Sequence, residues 1–327
     1  MTRSTAIIDL SCVLHDNPHH PESHQRLLEA VRGIPEEVSR ISCEPADLSD
    51  IHRIHDPRYT TWLKERCADT DTLSNLDGDT YVTPHSFDVA CRAAGGALAV
   101  LDHALAGEHA FAFIRPPGHH AERTRAMGFC LLNNAAIAAH AALDRVDRVA
   151  IIDWDVHHGN GIQNSFYLSN RVLYCSVHQD PIFPFTGHLD EIGNGTGKGC
   201  TINIPLPGGS SIADYQAVFG EVFVPAVTRF CPDIILVAAG QDILSDDPLG
   251  GMNIQPGDFF TLTSMLTGLT DAGLGFTLEG GYGPSHGDAV ANIFSALKNP
   301  GKITDGPEPR PSTRKIVDLA KKIHRIA

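Results

Sequence analysis

The sequence is short of positive charge, of paired cysteines and of long apolar runs, and each shortage closes off a class of function. Lys and Arg number 25 against 39 Asp and Glu, a net charge of −14. That balance argues against direct nucleic-acid binding and mildly favours cationic ligands. The eight Cys are scattered, with no Cys-x-x-Cys pair. Cys130, Cys175 and Cys231 stand in apolar strand or helix contexts, where a small buried thiol is the default. A disulfide scaffold is therefore not expected, and a reducing, cytoplasmic compartment is. No apolar run approaches the roughly 18 residues of a membrane span, so no membrane partner is expected. Residues 1–9 carry no apolar signal-like core and read as the approach to a first strand.

What is present describes a chain able to bury a large core: 42% apolar and 20% charged residues. Its 327 residues would fit one large α/β domain or two average ones. No internal repeat or linker interrupts the main body, so one domain over 1–327 is expected, with a Pro/Gly-rich connector at 305–311 and a basic helix over about 312–327. Short apolar runs at 5–10, 109–114, 149–153, 172–177, 200–206, 233–240 and 275–278 read as buried parallel strands. Helical spacing covers 51–67, 86–105, the Ala-rich stretch ending at Leu143, and 212–230. Gly95 and Gly96 suggest close helix packing. The segment 15–24, with four His and two Pro, reads as a solvated loop. Arg26 follows it as a candidate buried structural or channel residue.

The stretch 149–161 is the most informative. It starts as a buried strand and then delivers two Asp, two His and two Gly in nine residues. Carboxylates have no place inside a doubly covered strand, so they belong at its carboxyl end, where open α/β sheets bind ligands. Asp155 and His157 are two apart, which in extended backbone points both to one side. Three other strands also end in reactive residues. One leads into Arg115-Pro116-Pro117-Gly118-His119-His120, a stiff turn presenting paired imidazoles as a candidate acid/base pair. Another delivers Gln241 and Asp242, and the last delivers Glu279-Gly280-Gly281-Tyr282.

Asp155, His157 and Asp242 make a set of three metal ligands with positions left for water and substrate, the ligand count of a catalytic zinc site. Two carboxylates acidify a bound water less than a His-rich set, so an added base is needed and the imidazole pair supplies it. Tyr282 offers a hydroxyl to a developing oxyanion, and Gly280 and Gly281 let its backbone approach. Asp153 and Asn160 are placed to hydrogen-bond the two imidazoles and set their basicity.

These segments resemble the histone deacetylase family, in its bacterial deacetylase-like branch. The matching pieces are Arg115 to His120, Gly128-Phe129-Cys130, Asp153 to Gly161, Ser176-Val177-His178, Ala239-Gly240-Gln241-Asp242 with Asp247-Pro248-Leu249-Gly250, and Leu278 to Tyr282, in family order over roughly residues 15 to 300. The resemblance implies the arginase-deacetylase fold, a single-domain three-layer α/β/α unit with a mainly parallel sheet of about eight strands and its site at their carboxyl ends. It implies a zinc-dependent amidohydrolase that removes acetyl or related acyl groups from the ε-amine of lysine. One zinc would sit on Asp155, His157 and Asp242, with His120 as general base and acid, His119 assisting electrostatically and Tyr282 polarising the carbonyl. Phe129, preceded by Gly128, and Phe183 would line a narrow tube, with Leu249, Gly281 and a rim acid, Asp77 or Asp79, as further substrate contacts. One or two structural potassium ions are implied, the first at Asp153, Ser176 and the backbone of Asp155, His157 and Val177, the second at Phe166, Ser169 and Val172. The expected partners are an acetylated lysine peptide or a small acetylated amine, and hydroxamate inhibitors; a homo-oligomer stays open.

Three positions depart from the family pattern. Gln241 replaces a hydrophobic or aromatic residue, Phe185 stands where glycine is usual, and Leu249 takes the place of the acidic gatekeeper of polyamine-selective relatives. Phe185 is expected to reshape the mouth of the tube, and Leu249 argues against acetylpolyamines. A two-manganese, arginase-like ureohydrolase would need a further carboxylate at position 159, which is Gly. A non-catalytic acyl-amine binding protein would have lost a ligand, a His or the Tyr, and none is missing. A deacetylase of a small metabolite remains the nearest alternative.

Overall fold

A computed structural model describes residues 3–302 and 306–326, so Asp305 of the expected connector and Ala327 at the end of the expected last helix lie outside the described residues. The strands are β1 (Ser4–Ile8), β2 (Ser39–Ile41), β3 (Ser74–Asn75), β4 (Tyr81–Val82), β5 (His109–Phe113), β6 (Val149–Asp153), β7 (Val172–Gln179), β8 (Thr201–Leu206), β9 (Ile234–Ala239) and β10 (Leu274–Leu278). Eight of them form one sheet in the order β2-β1-β5-β10-β9-β6-β7-β8, every neighbouring pair parallel. The remaining two, β3 and β4, pair as a separate antiparallel hairpin.

Alternate residues of each strand feed two cores, as a period of two requires. Ala150 and Ile152 of β6 join one apolar cluster, and Val149 and Ile151 the other. The first face is covered by α1 (His24–Arg32), α7 (Ile212–Val218), α8 (Val224–Phe230), α9 (Asp258–Leu266), α10 (His286–Lys298) and α11 (Pro311–His324). The second is covered by α2 (Leu48–Ile51), α3 (Pro57–Ala68), α4 (Ser86–Leu105), α5 (Asn134–Ala142) and α6 (Asn160–Phe166). The result is the three-layer α/β/α architecture of the arginase-deacetylase fold.

Several local expectations need correction. The expected helix over 51–67 is two, because Pro57 starts a new helix that Asp56 caps by accepting the Arg58 N–H at 2.9 Å. The stretch 212–230 is helical throughout but widens at Phe219–Phe223 into a π turn that separates α7 from α8. β1 stops at Ile8, where Asp9 caps a 3₁₀ turn over Leu10–Leu14. The three-residue edge strand β2 has an exposed, unpatterned sequence, Ser39-Arg40-Ile41, that no periodicity marks. Gly95 and Gly96 admit the Glu44 carbonyl and the Ile114 side chain rather than another helix.

The segment 15–24 is solvated only in part: Pro18, His19 and Pro21 are exposed, but two of its polar residues turn inward. His15 and Glu22 are buried, with Arg26 just beyond it, and they surround the fully buried guanidinium of Arg115. Arg115 Nε and Nη2 each donate to the Glu22 carboxylate at 2.6 Å, and Nη1 donates to the Cys12 carbonyl at 3.1 Å. Burial alone would raise the Glu22 carboxyl, but the Arg115 charge and its paired hydrogen bonds hold it below the ordinary carboxylate range. A buried Arg on the turn after β5 requires a counter-charge, and the polar loop is folded inward to supply it.

Candidate active site

The four strands that end in reactive residues are consecutive in the sheet: β5, β10, β9 and β6. Their carboxyl ends meet around a cavity of about 160 Å³ that His119, His120, Asp155, His157, Asp242 and Tyr282 share with an apolar wall. Larger clefts, of about 610 and 620 Å³, open elsewhere around Arg3 and Arg148. They hold none of these groups.

Asp155, His157 and Asp242 bring ligand atoms within 4.8 Å of one another, the one such cluster among the described residues. Backbone donors hold both carboxylates. Asp155 Oδ2 accepts the Gly280 N–H at 2.8 Å, and Asp242 Oδ1 accepts the Val156 N–H at 2.8 Å. A Cβ at Gly280 would overlap both carboxylates, and one at Gly240 would overlap Asp155, so the close approach depends on glycine. His157 Nδ1 lies 3.2 Å from Asp155 Oδ1 and 3.3 Å from Asp242 Oδ2. Asp242 Oδ2 is otherwise a buried oxygen without a hydrogen-bond partner. Burial and the Asp155 charge push Asp242 up to about 7. His157 is raised to about 9, against its burial, by its contacts with the two carboxylates. An orphaned oxygen and an imidazole that holds its proton are what a three-donor site shows when protons stand in for a cation, so these residues fit a divalent metal.

The imidazole pair is held from behind. Asn160 Nδ2 donates to Glu122 Oε1 at 2.8 Å, which leaves Asn160 Oδ1 as the acceptor for His120 Nδ1 at 2.8 Å. That network puts the His120 proton on Nδ1 and leaves the Nε2 lone pair free. Burial, then the neighbouring His119 and His157, keep His120 well below its ordinary pKa and therefore neutral. His119, 4.0 Å away ring to ring, behaves oppositely. Its burial is outweighed by Asp155 and Asp153, which raise it to about 10. Asp153 Oδ2 lies 3.3 Å from His119 Nδ1 and accepts the Tyr174 hydroxyl at 2.9 Å.

Tyr282 faces the cavity, and burial keeps its phenol protonated. Asp247 Oδ2 accepts the N–H groups of Tyr282 and Gly283 at 2.6 and 3.0 Å, and its Oδ1 accepts Leu249 N–H at 2.9 Å. Arg26 reaches the same turn, 4.9 Å from the Tyr282 ring and 3.0 Å from the Gly281 carbonyl. Glu279 Oε2 accepts the N–H groups of Gly118 and His119 at 2.6 and 3.0 Å, so the turn after β10 also sets the imidazole turn.

Phe129, Gly128, Phe183 and Leu249 line the cavity as the sequence suggests. Gly128 and Phe129 both have positive φ, +56° and +68°, and a Cβ on Gly128 would press on the His120 ring. Two expected contacts are corrected. Gly281, at φ +122°, is not among the residues lining the cavity, and a Cβ there would meet His286 and Gln241. Of the two rim acids it is Asp79 that borders the cavity; Asp77 turns back to accept the N–H groups of Asp79 and Thr80, a turn-capping role that its spacing favours. Gln241 is buried behind the site, its Nε2 donating to the Ala239 carbonyl at 3.0 Å. Ser176 and Val177 lie on β7, with Ser176 in register with Asp153, whereas Phe166, Ser169 and Val172 gather at the amino end of that strand. A Cβ at Gly159 would overlap Asp153 and Tyr174, leaving no room for the carboxylate of a second metal.

Sequence reasoning missed Glu279, Tyr174, Asp247 and the Glu22–Arg115 pair. The first two sit inside apolar strands or at their ends, where a polar residue without a surface to face is a signal in itself. Asp247 and Glu22 carry no such mark.

Comparison with known proteins fits this geometry. The family described as Histone deacetylase domain matches residues 17–297. The chain is 35% identical to Histone deacetylase 10, chloroplastic, of Oryza sativa subsp. japonica, over 95% of this chain and 79% of that protein. It is 39% identical to the Histone deacetylase-like amidohydrolase of Pseudomonas aeruginosa, over 85% of this chain and 77% of that one. The crystal structure of the HDA15 HD domain superposes with a TM-score of 0.91 at 30% identity, covering 99% of this chain and 95% of that chain. With the family's segments in order along the chain and their residues gathered at one sheet edge, this protein belongs to the histone deacetylase family, whose members are amide-hydrolysing deacetylases.

Proposed function

We propose that the protein is a zinc-dependent deacetylase that releases acetyl, or a related acyl group, from the ε-amine of lysine in peptides or proteins. The observation that carries this reading is the pairing of a neutral His120, its Nε2 lone pair free, with the Asp155–His157–Asp242 cluster in one small cavity. Asp155, His157 and Asp242 would hold the zinc, which when bound acidifies a water and polarises the substrate carbonyl.

The protein's own groups divide the remaining work. His120 Nε2 takes the proton from the attacking water and returns it to the leaving amine, a task suited to an imidazole kept neutral by burial. His119, its Nδ1 3.3 Å from the Asp153 carboxylate, stabilises the negative charge that develops beside it. Tyr282 donates its hydroxyl hydrogen to the carbonyl oxygen as that oxygen gains charge. Phe129 and Phe183 enclose the aliphatic chain and keep bulk water from the amide.

The same reading takes residues 1–327 as one catalytic domain, on which α11 packs through Val317 and Ala320. Asp153, Ser176 and the Asp155, His157 and Val177 backbone are proposed for one potassium ion, and Phe166, Ser169 and Val172 for a second. Eight free cysteines, six of them buried, support a reducing, cytoplasmic setting. Among the described residues no helix is long and apolar enough to cross a membrane.

The test is hydrolysis of a fluorogenic acetyl-lysine peptide by purified protein, with and without a hydroxamate. Turnover abolished by the hydroxamate is expected. Turnover of a small acetylated amine with none of the peptide would transfer the reading to a metabolite substrate.

A further inference from the structure

Among the described residues, four besides glycine have positive φ: Phe129, Phe185, Cys231 and Arg325. Three of them have an evident reason. Cys231 and Arg325 are left-handed caps at the ends of α8 and α11, and Phe129 forms part of the cavity wall. Phe185, at φ +61°, has no such role, and the residue is 67% exposed. A bulky residue in the left-handed region is strained, and an aromatic ring in water forgoes its burial.

The loop around Phe185 does not give way to relieve this. Phe185 N–H donates to the Ile182 carbonyl at 2.9 Å. The neighbouring Thr186 hydroxyl lies 2.8 Å from His158 Nδ1. His178 Nε2 donates to the Gly187 carbonyl at 3.1 Å, and Glu191 Oε1 accepts the N–H groups of Gly187 and His188 at 3.2 and 3.1 Å. The backbone at 185 is therefore imposed, and glycine would fit it without strain. Two residues earlier on this loop Phe183 packs edge-on against His120, with ring centroids 5.0 Å apart, and walls the cavity. The Phe185 Cα can be no more than about 7 Å from that of Phe183, so this exposed residue stands on the loop that walls the cavity.

We infer that Phe185 is a specificity-determining residue: it contacts the part of the substrate that stays outside the cavity, and it favours an acylated lysine carried in a peptide with an apolar neighbour over a free acylated amine. This rests on the deacetylase reading above. Binding of substrate returns the ring to an apolar contact that the free protein does not provide.

The experiment compares wild type with Phe185→Gly and Phe185→Tyr. The substrates are a capped acetyl-lysine amide and an acetyl-lysine peptide with leucine on each side of the modified residue. In Phe185→Gly the ratio of kcat/KM for peptide over amide should fall by about 10-fold, through KM, as loss of an aromatic contact requires; Phe185→Tyr should keep the wild-type ratio. An unchanged ratio in Phe185→Gly overturns the inference. A wild-type protein that hydrolyses neither substrate sinks the deacetylase reading instead. The role of Phe185 is then decided by fluorescence anisotropy of the labelled peptide, which should bind the Gly variant about 10-fold more weakly, and equal affinity overturns it.

Discussion

Asp242 Oδ2 shows how far one atom constrains the chemistry. It is buried, faces His157 Nδ1 at 3.3 Å and has no hydrogen-bond donor of its own, while the other oxygen of the same carboxylate is fixed by the Val156 amide. Replacing the carboxylate by a neutral amide should therefore abolish metal retention rather than reshape the fold. We predict that Asp242→Asn, purified and dialysed against zinc buffer, retains far less than stoichiometric metal while its circular dichroism stays that of wild type; full zinc occupancy would refute the ligand role. Tyr282 is the complementary case. In the proposed mechanism it would supply a single oxyanion donor from a backbone pinned by Asp247, so Tyr282→Phe should keep its zinc and lower kcat by ~10²-fold or more. Near-normal turnover would take the hydroxyl out of the mechanism.

The elements matter through their ends. The turn after β5 carries the imidazole pair and is held from two sides, by Glu279 from the end of β10 and by Arg115, whose partner Glu22 lies in the loop before α1. Arg26 of α1 reaches across to the turn that bears Tyr282. The buried Glu22–Arg115 pair thus ties the first loop to the turn that carries the imidazole pair and, through Arg26, to the turn that carries Tyr282. Breaking one partner of a buried, bidentate pair costs about 3–5 kcal/mol. Glu22→Gln is accordingly expected to lower stability by that order in urea unfolding at pH 7, and a loss below about 1 kcal/mol would mean the pair is dispensable. The polar composition of 15–24 pointed to solvent because a sequence shows a charge but not the distant charge that balances it. Arg115, which requires Glu22, is 93 residues away.

At the scale of the whole molecule, buried histidines with depressed pKa values contribute to the response to acid. His55 is fully buried, its Nδ1 3.0 Å from the Glu122 carbonyl and its Nε2 accepting the Asn133 N–H at 2.9 Å. Both nitrogens are committed with a single proton, and desolvation lowers its pKa to about 4. Burial likewise lowers His15 to about 3. A pKa depressed by folding means the unfolded chain binds the proton first. The stability these residues contribute is complete above about 6.5, the unfolded value, and is lost as pH falls from there toward about 4. The shift at His55 corresponds to a few kcal/mol at most, on the order of 1.4 kcal/mol per unit. We predict a lower Tm at pH 5 than at pH 7, and a smaller difference in His55→Gln, where that linkage is removed. An equal difference in the two proteins would show that His55 does not carry it.

Local signals were enough to mark the strands and the candidate site at their ends. Continuous apolar runs marked seven of the eight main-sheet strands, because a strand covered on both faces must be apolar along its length; Ser39–Ile41, exposed at the edge, carries no such run. Reactive residues at strand ends marked the three-ligand set, the imidazole pair and the tyrosine, since a carboxylate or imidazole next to a buried strand has no other cheap position. The tertiary structure decided what depends on distance in sequence. It placed β5, β10, β9 and β6 side by side, so that four strand ends met around one cavity. It chose Asp79 over Asp77, a choice of side-chain direction that two acids in one turn do not reveal. It brought Glu279 beneath the imidazole turn and Glu22 against Arg115, because partners for buried charge are selected by packing and not by spacing along the chain.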